Sequence, residues 1–222
     1  MRVRDWMTEN IVTLSENDSA IKLMQLFKEH QIRRIPIVKN GKLVGIVTDR
    51  DIKSITSPKA FSMDMYEFYY IISNLKVKDI MTANPIYVHP DDDIEKAAIL
   101  MLENKISGLP VVDENEKLIG IITQTDILKA FVSISGAFLE SYKVMLLIHS
   151  LEDFNKLLNI FNESKIPISS LHNFICWKEE DCLNEHCKRP VIIKFFSKNE
   201  EFVEDLKNKL YSNFEVIFFK KS

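Results

Sequence analysis

Hydrophobic positions along the chain fall into stripes and short runs that occur twice in the same order. Apolar residues at Ala20, Leu23, Met24 and Phe27, and again at Ile94, Ala97, Ala98 and Met101, follow the i, i+3, i+4, i+7 spacing of an amphipathic helix. Cap-forming residues precede each stripe, Asn17-Asp18-Ser19 in the first and Asp91-Asp92-Asp93 in the second. Short apolar runs follow at Ile35–Val38 and Leu109–Val112. Each is broken by a proline, which suits a strand start or edge better than a strand centre. Asn40-Gly41 is a two-residue hairpin signal, and Asp113–Glu116 is its longer counterpart. Leu43–Val47 and Leu118–Ile122 read as second strands, each running into a helix from Thr48 or Thr123. Between the two sets, Ser54–Lys76 is rich in aromatics (Phe61, Tyr66, Phe68, Tyr69, Tyr70) and partly helical. Its rings are expected to cover the core, the alternative being a subunit interface.

The duplication extends to specific residues. Positions 3–53 align with 77–128 at an offset of 74, which becomes 75 after a one-residue insertion in the turn. Met7-Thr8 matches Met81-Thr82, and Pro36 matches Pro110. Beyond the turn, Gly45, Thr48 and Asp51 match Gly120, Thr123 and Asp126. Four of the five glycines (Gly41, Gly45, Gly108, Gly120) lie inside the repeats, so backbone freedom is expected to be concentrated there. Self-similarity of this kind implies two copies of one supersecondary unit, each too small to bury its apolar face alone.

After a helical connector over about 127–142 the pattern changes. Val144–Ile148 reads as a strand and Ser150-x-x-Asp153 as a capping box. Phe154, Leu157, Leu158 and Phe161 form a helical stripe. Ile168–Phe174 and Val191–Phe196 read as strands, Glu200–Leu210 as a helix and Glu215–Phe219 as a closing strand. The order βαββαβ predicts a small sandwich of one sheet and two helices. The chain therefore divides into three parts, 1–76, 77–142 and 143–222.

Composition alters this picture little. With 29 basic and 32 acidic residues in 222, there is no overall basic field to support nucleic-acid binding. The longest uncharged apolar runs, such as Val144–Ile148, are far below the roughly 20 residues a membrane helix needs. The opening residues enter the first repeat at once, leaving no room for a signal peptide, and three cysteines without an extracellular cue do not make a disulfide framework. These features predict a cytoplasmic protein without nucleic-acid or membrane partners.

The candidate chemistry lies in Gly45-Ile46-Val47-Thr48-Asp49-Arg50-Asp51 and its repeat, Gly120-Ile121-Ile122-Thr123-Gln124-Thr125-Asp126. Thr-x-x-Asp at a helix start can be a capping box that satisfies free N–H groups. A hydroxyl and a carboxylate one turn apart can also engage the vicinal hydroxyls of a ribose. The glycine would let a ligand approach the backbone, and the helix N-terminus favours an anion.

On these residues the two copies resemble a tandem pair of CBS domains, a Bateman module, over about residues 3–129. The resemblance implies an α+β fold in which each copy is β-α-β-β-α, with two clefts that take adenosine compounds such as AMP, ADP, ATP or S-adenosylmethionine. It implies a sensor and not an enzyme. The wider layout, with the aromatic connector and the βαββαβ tail, is similar to acetoin-utilisation AcuB-type proteins, which append an ACT-like, ferredoxin-like domain. The resemblance assigns ribose to Asp51 and Asp126, and ribose or phosphate to Thr48 and Thr123. It places the backbone around Val12-Thr13 and Ile86-Tyr87, with Ile35 and Leu109, beside the adenine. Arg33-Arg34 in the first copy stands where the second has Ser107-Gly108. Arg34 is the expected phosphate contact, since its planar fork suits that partner, and Arg33 is expected to point elsewhere. The tail's first strand-to-helix loop, His149-Ser150-Leu151-Glu152, lacks the glycine of amino-acid-binding ACT domains, so an assembly role is expected.

Three cysteines (Cys176, Cys182, Cys187) and two histidines (His172, His186) fall close together in the tail. Thiolate and imidazole suit zinc, which makes Cys176, Cys182, His186 and Cys187 a candidate metal set. Their spacing matches no common zinc motif, leaving loop cysteines or a redox-sensitive thiol as the alternative. The chain is thus expected to be a regulatory homodimer that binds an adenosine compound and acts on an unknown protein partner. The competing readings are an interaction scaffold with empty clefts and a metal or redox sensor.

Overall fold

The computed structural model describes residues 1–56, 64–136, 140–173 and 189–221. The chain divides into two compact units, Met1–Lys129 and Ala130–Ser222.

The first unit holds both repeats. In the first repeat β1 (Leu14–Ser15) leads into α1 (Ala20–His30), followed by the hairpin of β2 (Arg34–Lys39) and β3 (Lys42–Thr48) and by α2 (Asp49–Thr56). Ser19 caps α1 by accepting from the Lys22 N–H at 3.2 Å. The hairpin turn is set by Asn40 and Gly41, whose φ angles of 53° and 80° belong to the mirror-image turn that matches strand twist. After α3 (Met65–Asn74), which lies against α1, comes β4 (Thr82–Ala83). The second repeat continues with α4 (Ile94–Glu103), β5 (Gly108–Val112), β6 (Leu118–Thr123) and α5 (Gln124–Ile134). The strand expected at its start is reduced to one parallel bridge, Val88 to Val111, in the place where β1 runs parallel to β2. That parallel pairing also explains the prolines. Pro110 uses its carbonyl to accept from the Val88 N–H at 3.1 Å, so its missing N–H lies at the end of the short partner, where no ladder bond is needed.

The repeats complete one another. Strand β4, from the lead-in of the second repeat, adds to β3 of the first, and Thr8, from the lead-in of the first, bridges Ile121 of the second. One turn of 3-10 helix opens each lead-in, at Val3–Asp5 and Val77–Asp79. The Val77 N–H donates to the Asp18 carbonyl and the Val3 N–H to the Asp92 carbonyl, both at 2.9 Å. Both valines are fully buried. The receiving loops are built alike: the Asp18 carboxylate accepts from Ser15 N–H and Lys22, and that of Asp92 from His89 N–H and Lys96. Burial works against the charge of both carboxylates. The lysine and the backbone N–H outweigh it and hold both below the ordinary aspartate value.

Space, more than backbone freedom, accounts for three of the repeat glycines. A Cβ on Gly45 would lie 3.1 Å from Met81 Cγ and closer still to its sulfur. A Cβ on Gly120 would lie 2.6 Å from the Met7 sulfur. The methionine of each lead-in therefore occupies the room that the sequence reserved for a ligand. Of the connector's aromatic residues, Tyr66 and Tyr70 on α3 are 86% and 72% exposed and do not cover the core, while Phe61 and the side chains of Phe68 and Tyr69 lie outside what is described.

The second unit is a four-stranded antiparallel sheet with two helices. β7 (Tyr142–Ile148) and β9 (Arg189–Phe195) are central, with β8 (Ile168–Asn173) and β10 (Glu215–Lys221) at the edges. α6 (Leu151–Glu163) and α7 (Glu200–Asn213) cover one face. Ser150 caps α6 by accepting from the Asp153 N–H, while the Asp153 carboxylate turns to the His149 N–H. The core joins Val144, Leu146, Val191, Ile193 and Phe195 to Leu157, Phe161, Leu206 and Leu210. Of the other two members of the expected stripe, Phe154 packs against this core and Leu158 is exposed.

Candidate functional site

Strands β3 and β6 deliver the two Thr-x-x-Asp motifs to helix starts, and both form the same local structure. The Thr48 N–H and hydroxyl each donate to Asp51 Oδ2 at 2.7 Å. In the second repeat the Thr123 N–H and hydroxyl donate to Asp126 Oδ2 at 3.0 and 2.7 Å. The carboxylate thus satisfies an N–H at the helix start, the half of a capping box that the N3 residue supplies. Asp126 is buried and lies 3.4 Å from the Lys129 ammonium.

A cavity of about 470 Å³ opens beside the first motif, within the range of small-molecule sites. Repeat one contributes Arg33, Arg34, Thr48 and Asp49–Asp51, and repeat two contributes Thr82, Pro85, Ile86 and the stretch Lys105–Gly108. Five basic residues (Arg33, Arg34, Arg50, Lys53, Lys105) face two acidic ones (Asp49, Asp51), giving a positive lining. The positions in repeat two that match Asp49, Arg50 and Lys53 are Gln124, Thr125 and Leu128, so that charge is not duplicated.

Arg34 reaches across from repeat one to repeat two. Its guanidinium donates to the carbonyl of Ser107 and, at 2.5 Å, to the Ser107 hydroxyl. Gly108 makes room for it, since a Cβ there would lie 2.7 Å from Arg34 Cζ. Burial lowers the guanidinium pKa from its ordinary value and Arg33 adds to this, while Asp49 and Asp126 oppose it. The sequence aligned Arg33-Arg34 with Ser107-Gly108 as equivalents; in the fold they meet.

The other expected residues divide into two groups. Ile86 lines the cavity with Thr48, Asp51 and Arg34, and so does Arg33, contrary to the expectation that it points elsewhere. Ile35 and Leu109 are wholly buried, so their side chains belong to the interior. Val12 packs on the core of repeat one, Thr13 is exposed, and Tyr87 meets His89 edge to face. Arg50, Lys53, Thr82, Pro85 and Lys105 were not among the expected site residues. Lys105 carries only a weak signal: it lies two residues past the end of α4 at φ 54°, matching Gln31, which follows α1 at φ 51°. The cysteine set Cys176, Cys182, His186 and Cys187 lies outside the described residues. Among the described residues no three His, Cys, Asp or Glu come together in a way that could hold a metal. No helix among them is long and apolar enough to cross a membrane.

Residues 3–56 and 77–133, half of the chain, match the family model of the CBS domain. The chain belongs to the CBS-domain family. Its tandem CBS pair is similar to MJ1426 of Methanocaldococcus jannaschii, with 35% identity over 155 residues, 60% of this chain and 92% of that one. It is also 35% identical over 126 residues to an inosine-5'-monophosphate dehydrogenase of Korarchaeum cryptofilum, covering 57% of this chain but 23% of the enzyme. Among solved structures, CBSX2 in complex with AMP superposes with a TM-score of 0.52 at 29% identity, covering 60% of this chain and 98% of that one. The CBS domain pair of MJ0100, in complex with 5-methylthioadenosine and S-adenosyl-L-methionine, gives 0.51 at 31%, covering 60% and 97%.

Proposed function

We propose that this protein is a non-catalytic regulator whose CBS pair binds a phosphorylated adenosine compound in the cavity between the repeats. The observation that carries the reading is the cavity itself, where the Thr48–Asp51 pair and a five-cation lining share one space. The paired hydroxyl and carboxylate offer acceptor oxygens to ribose hydroxyls, and the cations suit phosphate. The AMP carried by CBSX2 and the adenosine ligands carried by the MJ0100 pair support the same class. A regulatory role is supported by the enzymes among the relatives, which align with little more than half of this chain and about a quarter of their own length.

On this reading the second unit is an ACT-like, ferredoxin-like domain that relays occupancy or holds an assembly, as in AcuB-type proteins; its strand order and two covering helices support that assignment. A homodimer fits the apolar residues of the first unit left in solvent, Ile99 and Leu102 on α4 and Leu128 on α5. Titration calorimetry with AMP, ADP, ATP, S-adenosylmethionine and adenosine tests the proposal. Binding of a phosphorylated member, weakened at least tenfold by Asp51→Ala, supports it. No heat with any of the five, or equal affinity in the variant, overturns it.

A further inference from the structure

Arg34 belongs to repeat one, but its charged end lies on repeat two. It starts β2 opposite Thr48, while its guanidinium donates to the carbonyl and the hydroxyl of Ser107. The same Ser107 carbonyl accepts from the N–H of Gln124, the first residue of α5, at 3.2 Å. Gly108, whose missing Cβ leaves space for the guanidinium, pairs with Thr123. One side chain from repeat one thus stands beside the strand position that faces Thr123 and at the start of the helix that carries Asp126. The charges of Asp49 and Asp126 both act on it.

The contact is one-sided. The Arg33 carbonyl accepts from the Asp49 N–H at 2.9 Å, as that of Ser107 does from Gln124. The residue of repeat two that matches Arg34 is Gly108, which has no side chain to send back. The two Thr-x-x-Asp motifs therefore differ in their surroundings although their internal hydrogen bonds agree. Asp51 lines the 470 Å³ cavity. Asp126 is 8% exposed, and its second oxygen, Oδ1, meets the Lys129 ammonium at 3.4 Å. A helix start favours an anion, yet beside the start of α5 the chain has placed a cation of its own.

We infer that Arg34 closes the Thr123–Asp126 motif from inside, so that the chain takes one adenosine compound and takes it in the first cavity. The ligand class rests on the function proposed above; the closure rests on the geometry of Arg34. Exclusion comes from volume and not from charge. A guanidinium would draw a phosphate, but this one fills the space beside Gly108 and is held there by two bonds to Ser107. Arg33, Arg50 and Lys105 are left to meet phosphate in the first cavity.

Titration calorimetry on the full chain, with AMP as the probe and adenosine as its neutral counterpart, reads the stoichiometry. The unaltered protein is expected to bind one AMP per chain, and two per chain would overturn the inference without any variant. Arg34→Ala is expected to bind two of either compound per chain. Adding Asp126→Asn, which keeps an oxygen to accept from Thr123, should weaken the second of these at least tenfold. One site or none in Arg34→Ala, or a second site indifferent to Asp126→Asn, overturns the inference. No binding by the unaltered protein, with one site gained in Arg34→Ala and lost again with Asp126→Asn, would overturn the function proposed for the first cavity and leave the closure standing.

Discussion

Gly108→Ala is the sharpest probe of the contact between the repeats. The added methyl would sit 2.7 Å from Arg34 Cζ and 3.1 Å from the Ile122 carbonyl, and the first clash is with the movable end of a long side chain. The guanidinium should leave, and with it both hydrogen bonds to Ser107. A hydrogen bond to a charged group contributes about 1.5–3 kcal/mol. Arg34 is only half-buried and both bonds belong to one group, so their joint contribution is discounted to about 2 kcal/mol. At roughly 2–4 °C per kcal/mol for a chain of this size, the transition of the first unit should fall by about 4–8 °C. A double-mutant cycle in denaturant separates the causes. If Gly108 serves to admit Arg34, Gly108→Ala should be nearly neutral in an Arg34→Ala background, with a coupling energy of about 2 kcal/mol. An equal loss in both backgrounds would trace the effect to the Ile122 carbonyl and refute the reasoning.

Raising salt from 50 to 300 mM should weaken AMP more than adenosine, because the five cations of the cavity act chiefly on phosphate; calorimetry at both salts decides this. Asp18 and Asp92 have folded pKa values below their unfolded ones, so their stabilisation is complete above the unfolded value near 4 and is lost as pH falls through and below it. Asp18→Asn with Asp92→Asn should flatten the acid limb of the stability–pH curve, as followed by urea unfolding from pH 6 to pH 3. Light scattering at micromolar concentration should give twice the chain mass, and a monomer would remove the dimer.

What the sequence made legible was local. Helix stripes, the Asn40-Gly41 turn and the Thr-x-x-Asp geometry all depend on residues a few positions apart, and each formed where its pattern lay. Contacts between the copies were not legible. Nothing near Gly45 announces that Met81 will fill its space, and nothing in Ser107-Gly108 announces a guanidinium from residue 34. An alignment of repeats treats corresponding residues as alternatives, and so it hides that they touch each other.

The crossed lead-ins set a timetable for synthesis. Val3 needs Asp92, and Thr8 needs Ile121, which is 113 residues further along the chain. At roughly 5–20 residues per second, on the order of ten seconds pass between the two emerging from the ribosome. Through that interval the buried position of Val3 is unfilled, and repeat one lacks its β4 edge until Thr82-Ala83 arrives. The nascent chain therefore exposes an apolar lead-in and an open strand edge at once, the combination that invites pairing with a neighbouring chain on the same message.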